Sequence, residues 1–298
     1  MRGIFLLIIT AMLLNFIISP AFSTKNNEIK PQIMLNTVQR SEIQDTAYQG
    51  DTVFITVNSN KKLISPYFVY QNKKIPIFKV NEGIYRGLLG LDAFTKTGNY
   101  KLIFKDSSNY LSDSKYLDVK IKRFPVQNIT LTGSKGGLTA TNDELYRVGR
   151  AKSALSSVAY WTKRPLTNPT AGCISSVYGL NRYYNGMQGG FHKGVDIKAP
   201  EGQEIVATAG GTILIARQFR LHGGTVAVDH GQGLVSIYLH MSKISVKEGQ
   251  TVKESQKIGE VGSTGIATGP HLHWGLYVNG TPVDQYVPWV KSPVKCNT

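Results

Sequence analysis

The sequence predicts a mainly β protein: an amino-terminal β-sandwich, a helical linker and a second β-rich domain at the carboxyl end. The chain has 298 residues, enough for two domains of ordinary size. Its 30 glycines and 15 tyrosines, together with short alternating apolar segments, favour strands and tight turns over long helices. A hydrophobic fraction of 41% and a charged fraction of 18% exclude a disordered chain. We therefore expect each domain to bury a core.

The first 23 residues have the three parts of a secretory signal peptide. Met1 and Arg2 form a short basic region, an apolar run covers residues 4–18, and a small-x-small cleavage signal ends at Ser23. An uncleaved membrane anchor is the alternative, although the run is marginal in length for a full span. No later segment is apolar enough to cross a membrane. We expect a mature chain that is exported to the periplasm or cell envelope and has no stable membrane span.

The charge balance indicates an anionic partner. Lys and Arg together number 34 against 19 acidic residues, which gives a formal net charge of +15. Nucleic acid, an anionic membrane face and a negatively charged wall polymer all fit such an excess. Export makes nucleic acid an unexpected partner, so an anionic wall polymer and a merely solvated basic surface remain as the two interpretations.

An accessory β-sandwich is predicted over residues 30–122. Apolar and polar residues alternate with a period of two at Val53, Ile55 and Val57, and again over residues 100–104 and 117–121. Turn-forming residues such as Gly, Asn and Asp separate these segments at short intervals. The region has no histidine and no cysteine, so we expect no catalytic chemistry in it.

A linker with one helix is predicted over residues 123–172. Residues 123–140 are rich in Thr, Gly and Ser, and Thr141 and Glu144 then have the spacing of a capping box. Apolar residues at helical spacing follow, which predicts a helix over residues 142–157. We expect the linker to let the accessory domain move relative to the groove of the second domain, either for regulation or wall targeting or as a passive spacer.

All six histidines lie in the second domain, predicted over residues 173–290 and followed by a tail over 291–298. His192 and Asp196 are four residues apart in a segment whose glycine and β-branched residues favour an extended strand, so both project to one face with Gly194 leaving space between them. His271 and His273 are two apart in another apolar segment and also share a face. His240 ends a third such segment.

Imidazole and carboxylate groups in this combination suit Zn²⁺, with the fourth tetrahedral position left for water. The pKa of zinc-bound water falls to about 7, so that water can act as a nucleophile. A lone surface histidine is more often inert. Five candidates in order within about 80 residues make chance improbable.

The motifs together resemble the lysostaphin/LytM-type zinc metallopeptidases, which are peptidoglycan endopeptidases. The resemblance covers residues 175–284 and includes the His-x-x-x-Asp motif at 192–196, Tyr-Leu-His at 238–240 and Gly-Pro-His-Leu-His-Trp at 269–274. It implies a carboxy-terminal β-sheet metallopeptidase domain. Residues 85–92 resemble, more loosely, the amino-terminal domain of some envelope members of this family.

The resemblance also implies a role for each histidine of the motifs. His192, Asp196 and His273 would ligate one zinc ion per chain. His240 and His271 would flank the metal-bound water, one taking its proton and the other stabilising the oxyanion. Family practice favours His271 as the base, but the sequence leaves the assignment open.

Other polar residues of the domain have weaker assignments. Arg182 and Asn185 are candidates to line the substrate groove, with a structural role as the alternative, and Tyr184 is a candidate oxyanion donor. His230, in an Asp-His-Gly turn, is expected to be structural. His222, beside two glycines, is expected to be a loop residue with no role.

The sequence therefore predicts an exported endopeptidase that hydrolyses peptide cross-links of peptidoglycan. Cross-links from D-alanine to diaminopimelate are the expected substrate, and glycine bridges are the alternative. A non-enzymatic envelope factor that binds peptidoglycan or regulates another wall hydrolase is the alternative function, and the complete ligand set argues against it.

The two cysteines, Cys173 and Cys296, are expected to form a disulfide because the chain is exported and contains no others. Such a bond would tie the tail to the start of the second domain. The alternative is a buried Cys173 with a free Cys296.

Overall fold

The structure is a computed structural model, and it is mainly β as predicted, with one short α-helix among the residues it describes. The signal peptide predicted over residues 1–23 lies outside those residues. In the described part of the chain, no helix combines the length and apolar character needed to cross a membrane. The described residues are 32–36, 45–107, 113–130, 138–161, 165–286, 288–291 and 295–296.

The amino-terminal region contains two sheets. Its strands are β1 (Gln32–Asn36), β2 (Thr46–Tyr48), β3 (Thr52–Asn58), β4 (Tyr67–Tyr70), β5 (Lys73–Pro76), β6 (Phe78–Asn81), β7 (Ile84–Gly90), β8 (Gly98–Lys105) and β9 (Asp113–Lys120). One sheet has the strand order β1-β3-β7-β6 and the other the order β2-β9-β8-β4-β5. Apolar residues of both sheets pack into one buried cluster.

The alternation read from the sequence determines which side chains enter this cluster. Val53, Ile55 and Val57 of β3 are fully buried and meet Leu102 and Phe104 of β8. Successive side chains of a strand point to opposite faces, so the intervening residues of β3 leave this core.

The opposite face of the first sheet packs against the second domain. Phe54 of β3 and Leu88 of β7 belong to the buried cluster of that domain. The ring of Phe54 lies 5.0 Å from that of Trp289 and 6.4 Å from that of Trp161, measured between centroids. The Trp289 indole N–H donates to Thr52 Oγ1 at 2.9 Å.

Polar contacts accompany this apolar interface. The Arg86 guanidinium donates to Gln232 Oε1 at 2.7 and 3.0 Å and stacks 3.9 Å from the Trp161 ring centroid. The Asn279 amide donates to the Leu88 carbonyl at 2.7 Å. The two domains therefore share a buried apolar surface and several side-chain hydrogen bonds. Such an interface argues against the expectation that the accessory domain moves freely on its linker.

The segment 123–140, predicted to be linker, contains a strand. Strand β10 (Val126–Ile129) pairs in parallel with β12 (Asn181–Tyr184). The sequence did not indicate this strand, because its backbone partners lie on the edge of β12, far along the chain.

Helix α1 (Asn142–Lys152) begins as predicted and ends five residues early. The capping box is confirmed: the Glu144 N–H donates to Thr141 Oγ1, and the Glu144 carboxylate accepts from the Thr141 N–H. After the helix, the Gln232 N–H donates to the Ser156 carbonyl at 2.7 Å. The backbone of this segment thus pairs with the second domain instead of continuing the helix to residue 157.

The second domain is built on an eight-stranded sheet. Its strands are β11 (Cys173–Ser176), β13 (Met187–Phe191), β14 (Val195–Lys198), β15 (Glu204–Val206), β16 (Gly211–Gln218), β17 (Gly224–Gly231), β18 (Leu234–Met241), β19 (Lys243–Ile244), β20 (Thr251–Val252), β21 (Lys257–Glu260), β22 (His271–Val278) and β23 (Thr281–Val283), in addition to β12. The large sheet has the order β11-β14-β22-β18-β17-β16-β20, with β23 on β22. Two three-stranded sheets, β10-β12-β13 and β15-β21-β19, flank it.

The predicted disulfide between Cys173 and Cys296 is confirmed, with a Cα–Cα distance of 4.9 Å. The bond closes a loop with a sequence separation of 123 residues. The Cys296 N–H also donates to the Ile174 carbonyl, so the tail lies against the first strand of the domain.

Candidate metal centre

Strand pairing brings two of the three predicted ligands together, and His192 lies in the loop that leads into β14. In the antiparallel pair of β14 and β22, Asp196 lies directly opposite His273. On the other side of β22, Leu239 of β18 is opposite His273, which places His240 next to the same position. Directly opposite residues have Cβ atoms about 5 Å apart, close enough for their side chains to share one ligand.

The donor atoms of His192, Asp196 and His273 form a compact triangle. His192 Nε2 lies 3.0 Å from Asp196 Oδ1 and 3.0 Å from His273 Nδ1, and His273 Nδ1 lies 2.9 Å from Asp196 Oδ1. Among the described residues, this is the group of histidine, cysteine and acidic side chains with metal-binding spacing. Two nitrogens and one carboxylate oxygen converge on one point, as ligands of one ion would.

The buried His192 is oriented from behind. Its Nδ1 donates to the Val177 carbonyl at 2.9 Å, and the Ser176 hydroxyl lies 3.1 Å away. A proton held on Nδ1 leaves Nε2 with a free lone pair directed at Asp196 and His273. This is the tautomer that metal ligation requires.

Gly194 leaves room for the imidazole of His273, a contact that the sequence did not indicate. A Cβ atom at this position would lie 2.8 Å from His273 Nε2 and 2.5 Å from the Trp274 carbonyl oxygen. Both distances are shorter than van der Waals contact, so any larger residue would displace the imidazole or the strand.

His240 and His271 stand beside the triangle, and their ring centroids are 4.9 Å apart. The Nδ1 of each donates to a carbonyl at 2.8 Å, that of Thr264 for His240 and that of Gly269 for His271. Each Nε2 therefore carries a lone pair, and His271 Nε2 lies 3.9 Å from Asp196 Oδ1. The two imidazoles are held in the same tautomer.

His240 adopts a left-handed backbone conformation with φ of 65°. A non-glycine residue in this region costs of the order of 1–3 kcal/mol and persists only where the surroundings hold it. The His240 N–H donates to the His222 carbonyl at 3.0 Å, which is one such restraint.

Burial and mutual proximity lower the basicity of the cluster. Burial alone would raise the pKa of Asp196, but the adjacent imidazoles of His192 and His273 outweigh it and hold that pKa well below its ordinary value. Burial lowers the pKa of His273 to about 4. Burial, with the charges of His273 and His271, lowers the pKa of His240 to about 3.

An open groove of about 890 Å³ runs past this centre. Arg182 lines it, with Nη2 3.6 Å from Asp196 Oδ2 and with a buried Nε that has no hydrogen-bond partner among the described residues. Asn185 is exposed in the turn between β12 and β13 and is not among the described residues that line the groove. The side chain of Tyr184 lies outside the described residues. The substrate-binding roles of all three stay predictions.

Helix α1 forms part of the groove wall, which the sequence did not indicate. Its buried Glu144 accepts hydrogen bonds from the backbone N–H groups of Leu221 and His222 and from His222 Nδ1. His222 is a loop residue, as predicted, but it lines the groove and is bound to the helix. The capping box was the one feature of the sequence that drew attention to Glu144. It does not predict that the same carboxylate also binds His222, 78 residues further along the chain.

His230 is confirmed as structural. It is fully buried, and its two nitrogens are engaged with the Gly210 carbonyl and the Ser236 hydroxyl, both at 2.7 Å. Burial lowers its pKa to about 4. Neither nitrogen is left for a ligand.

Comparison with known proteins agrees with this geometry. The sequence pattern of peptidase family M23 matches residues 190–285, which contain the donor triangle and both flanking histidines. An uncharacterized metalloprotease of Haemophilus influenzae is 44% identical over 94 residues, which are 31% of this chain and 20% of that protein. The peptidoglycan DD-endopeptidase ShyA of Vibrio cholerae is 42% identical over 93 residues, 31% of this chain and 22% of that protein. This chain thus spans about a fifth of the length of these curated relatives.

A solved Pseudomonas aeruginosa structure, described as an M23 peptidase, matches with a TM-score of 0.60 and 28% sequence identity. The match covers 78% of this chain and 91% of that one, so it extends well beyond residues 190–285. The chain carries a peptidase family M23 domain, and the resemblance read from its motifs is confirmed.

Proposed function

We propose that this chain is an exported, zinc-dependent endopeptidase that hydrolyses peptide cross-links of peptidoglycan. The observation that carries the proposal is the triangle of donor atoms from His192, Asp196 and His273, with sides of 2.9 to 3.0 Å, in an open groove. Two further imidazoles with unengaged Nε2 atoms stand beside it.

The donor set fits one zinc ion per chain. Catalytic zinc sites take three protein ligands of the imidazole and carboxylate type and keep the fourth position for water or substrate. Bound there, zinc supplies a water of lowered pKa and polarises the scissile carbonyl. The bond from His192 to the Val177 carbonyl supports this role, because ligating imidazoles commonly donate their second N–H in this way.

The two flanking histidines are proposed to move the protons. We assign His271 as the general base because its Nε2 lies beside the donor triangle, 3.9 Å from Asp196 Oδ1. His240, the second flanking imidazole, is proposed to stabilise the developing oxyanion. The carbonyls of Thr264 and Gly269 keep both rings oriented through the reaction. Arg182 is proposed to hold the substrate near Asp196, with Asn185 and Tyr184 as further substrate-binding residues.

D-Alanyl–diaminopimelate cross-links are the proposed substrate, and glycine bridges are the alternative. The DD-endopeptidase named among the relatives supports this choice. Lys and Arg side chains outnumber carboxylates along the groove, which favours an acidic peptide. Cleavage of the signal peptide after Ser23 would deliver the chain to the periplasm or cell envelope, where a net charge of +15 favours contact with an anionic wall polymer.

A non-enzymatic factor that binds peptidoglycan or regulates another hydrolase is the alternative function. Such a role does not require the ligands, yet all three are in place, and the tautomer of His192 is the one that ligation through Nε2 needs. We also propose that residues 30–122 act as an accessory domain fixed against the domain at 173–290, because the two share a buried cluster.

The test is digestion of a purified cross-linked muropeptide dimer by the mature protein. We expect cleavage to the two monomers, loss of cleavage with a zinc chelator and recovery when zinc is restored. His192→Ala serves as the matched inactive control. A mature, zinc-containing protein that leaves both diaminopimelate and glycine cross-links intact would contradict the proposal.

A further inference from the structure

The groove beside the candidate metal centre has an unbalanced set of charges. The only carboxylate among the described lining residues is that of Asp196, which is already committed to the donor triangle. Four cationic side chains line the same groove, namely Lys152, Arg182, Lys193 and Lys198. Only Arg182 lies within ion-pair distance of Asp196.

Lys152 has the most unusual surroundings of these four. It is the last residue of α1, its side chain is partly buried against the groove, and its Nζ lies 4.9 Å from the centroid of the Tyr277 ring. Among the described residues, no carboxylate pairs with it. Burial, together with the neighbouring charge of Lys193, lowers the pKa of Lys152 to about 8.

A partly desolvated ammonium beside a second cation is unfavourable unless an anion accompanies it. The face of Tyr277 offsets part of this cost, and so do the carbonyls at the end of the helix, but neither carries a full negative charge. The groove is the open side of the site, so a ligand bound in the groove can bring an anion to Lys152.

We propose that Lys152 and Lys193 form a subsite that binds a carboxylate group of the peptide substrate. This inference rests on the proposed function for the identity of that substrate, a peptidoglycan stem peptide with a free carboxylate beside the cross-link. The helix thereby contributes to substrate selection, and the predicted linker region supplies part of the specificity of the M23 domain.

The test compares binding of two stem tetrapeptides that differ only at the diaminopimelate carboxyl group, free in one and amidated in the other. Calorimetry is done on the zinc-containing mature protein. We expect the wild type to bind the acid about tenfold more tightly than the amide, which is the scale of one charge-assisted hydrogen bond. Lys152→Met should bind both peptides with the affinity that the wild type shows for the amide.

Two controls make the comparison specific. Lys253→Met removes an exposed lysine outside the groove and should keep the tenfold preference, and so should Lys152→Arg, which retains the charge. Equal affinities of the wild type for acid and amide, or a preference that survives in Lys152→Met, would overturn the proposal. Hydrolysis of the corresponding cross-linked dimers is measured separately. Absent cleavage would count against the proposed function, whereas the binding comparison tests whether Lys152 recognises the carboxylate.

Discussion

Glu144 is the residue through which helix α1 holds the catalytic region, and replacing it should be costly. Its side chain is fully buried, and its carboxylate accepts from the N–H of Thr141 at 3.3 Å, of Leu221 at 3.2 Å and of His222 at 2.8 Å, as well as from His222 Nδ1. Glu144→Ala leaves these donors without their acceptor. Each buried donor that stays unpaired costs about 1–3 kcal/mol, and loss of a buried charged partner about 3–5 kcal/mol in total.

We therefore expect Glu144→Ala to lower the free energy of unfolding by about 3–5 kcal/mol in urea titrations at neutral pH. Asp143→Ala is the matched control, because Asp143 is in the same helical turn and, among the described residues, forms its ion pair with the exposed Arg147. That control should cost less than about 1 kcal/mol. Equal, small losses in the two variants would refute the reasoning.

The same substitution should also affect His240, one of the two histidines proposed to be catalytic. The loop that Glu144 holds includes the His222 carbonyl, which accepts from the His240 N–H at 3.0 Å. We expect turnover to fall while zinc content stays at one per chain, because none of the three candidate ligands belongs to this loop. If Glu144→Ala is destabilised but its turnover is unchanged, Glu144 contributes to stability and does not affect the position of His240.

The pH dependence of the Glu144 contribution has a defined sign. Burial alone would raise its pKa, but the hydrogen bonds from His222 and Leu221 outweigh it and lower the pKa. A carboxyl group with a depressed folded-state pKa stabilises the protein above its unfolded-state pKa of about 4.3. The difference between the wild type and Glu144→Gln should therefore be present at pH 7 and disappear as the pH falls below about 4.

Four further predictions address other parts of the molecule. His192→Ala should lose its zinc, whereas His271→Ala should keep its zinc and lose about 10²–10⁴-fold in turnover. Equal zinc contents in the two variants, measured by mass spectrometry, would contradict this assignment of a ligand and a base. Gly194→Ala should lower zinc affinity, because its Cβ would lie 2.8 Å from His273 Nε2, and unchanged affinity in a chelator competition would argue against that close approach. The lowered pKa of the buried His230, about 4, favours protonation of the unfolded chain, so stability should fall by about 3 kcal/mol between pH 7 and pH 4 and fall less in His230→Gln. Cys296→Ser opens a loop with a separation of 123 residues and should cost up to about 4–5 kcal/mol by loop entropy, an upper figure that urea unfolding under oxidising conditions would measure.

The centre was predictable because its signals are local. The even spacing of His271 and His273 puts both side chains on one face of β22. The predicted extended strand over residues 192–196 is only partly right, because β14 begins at Val195 and His192 lies in the loop between β13 and β14. Pairing of β14 with β22 brings Asp196 to His273, whereas strand spacing does not determine the position of His192. The capping box and the disulfide were predictable for the same reason, since each depends on residue type and short-range geometry or on a single available partner.

The sequence did not predict how the two domains, or segments distant in the chain, pack against each other. The alternation in β3 shows that Val53 and Phe54 face opposite sides, but not that Phe54 packs on Trp289 of another domain. In the same way, β10 and Glu144 have partners far along the chain, and neither pairing leaves a periodic pattern. Long-range docking of this kind depends on the shapes of both folded surfaces.

The mass of the products from one defined cross-linked dimer, digested in oxygen-18-labelled water, tests the central claim most directly. Hydrolysis at the cross-link predicts two monomers, with one labelled oxygen in the new carboxyl group of the donor peptide and none in the amine product. The zinc-containing wild type should give this pattern, and His192→Ala should not. An intact dimer after digestion by the wild type, or monomers formed equally by the His192→Ala control, would contradict the assignment of this centre as a hydrolytic site.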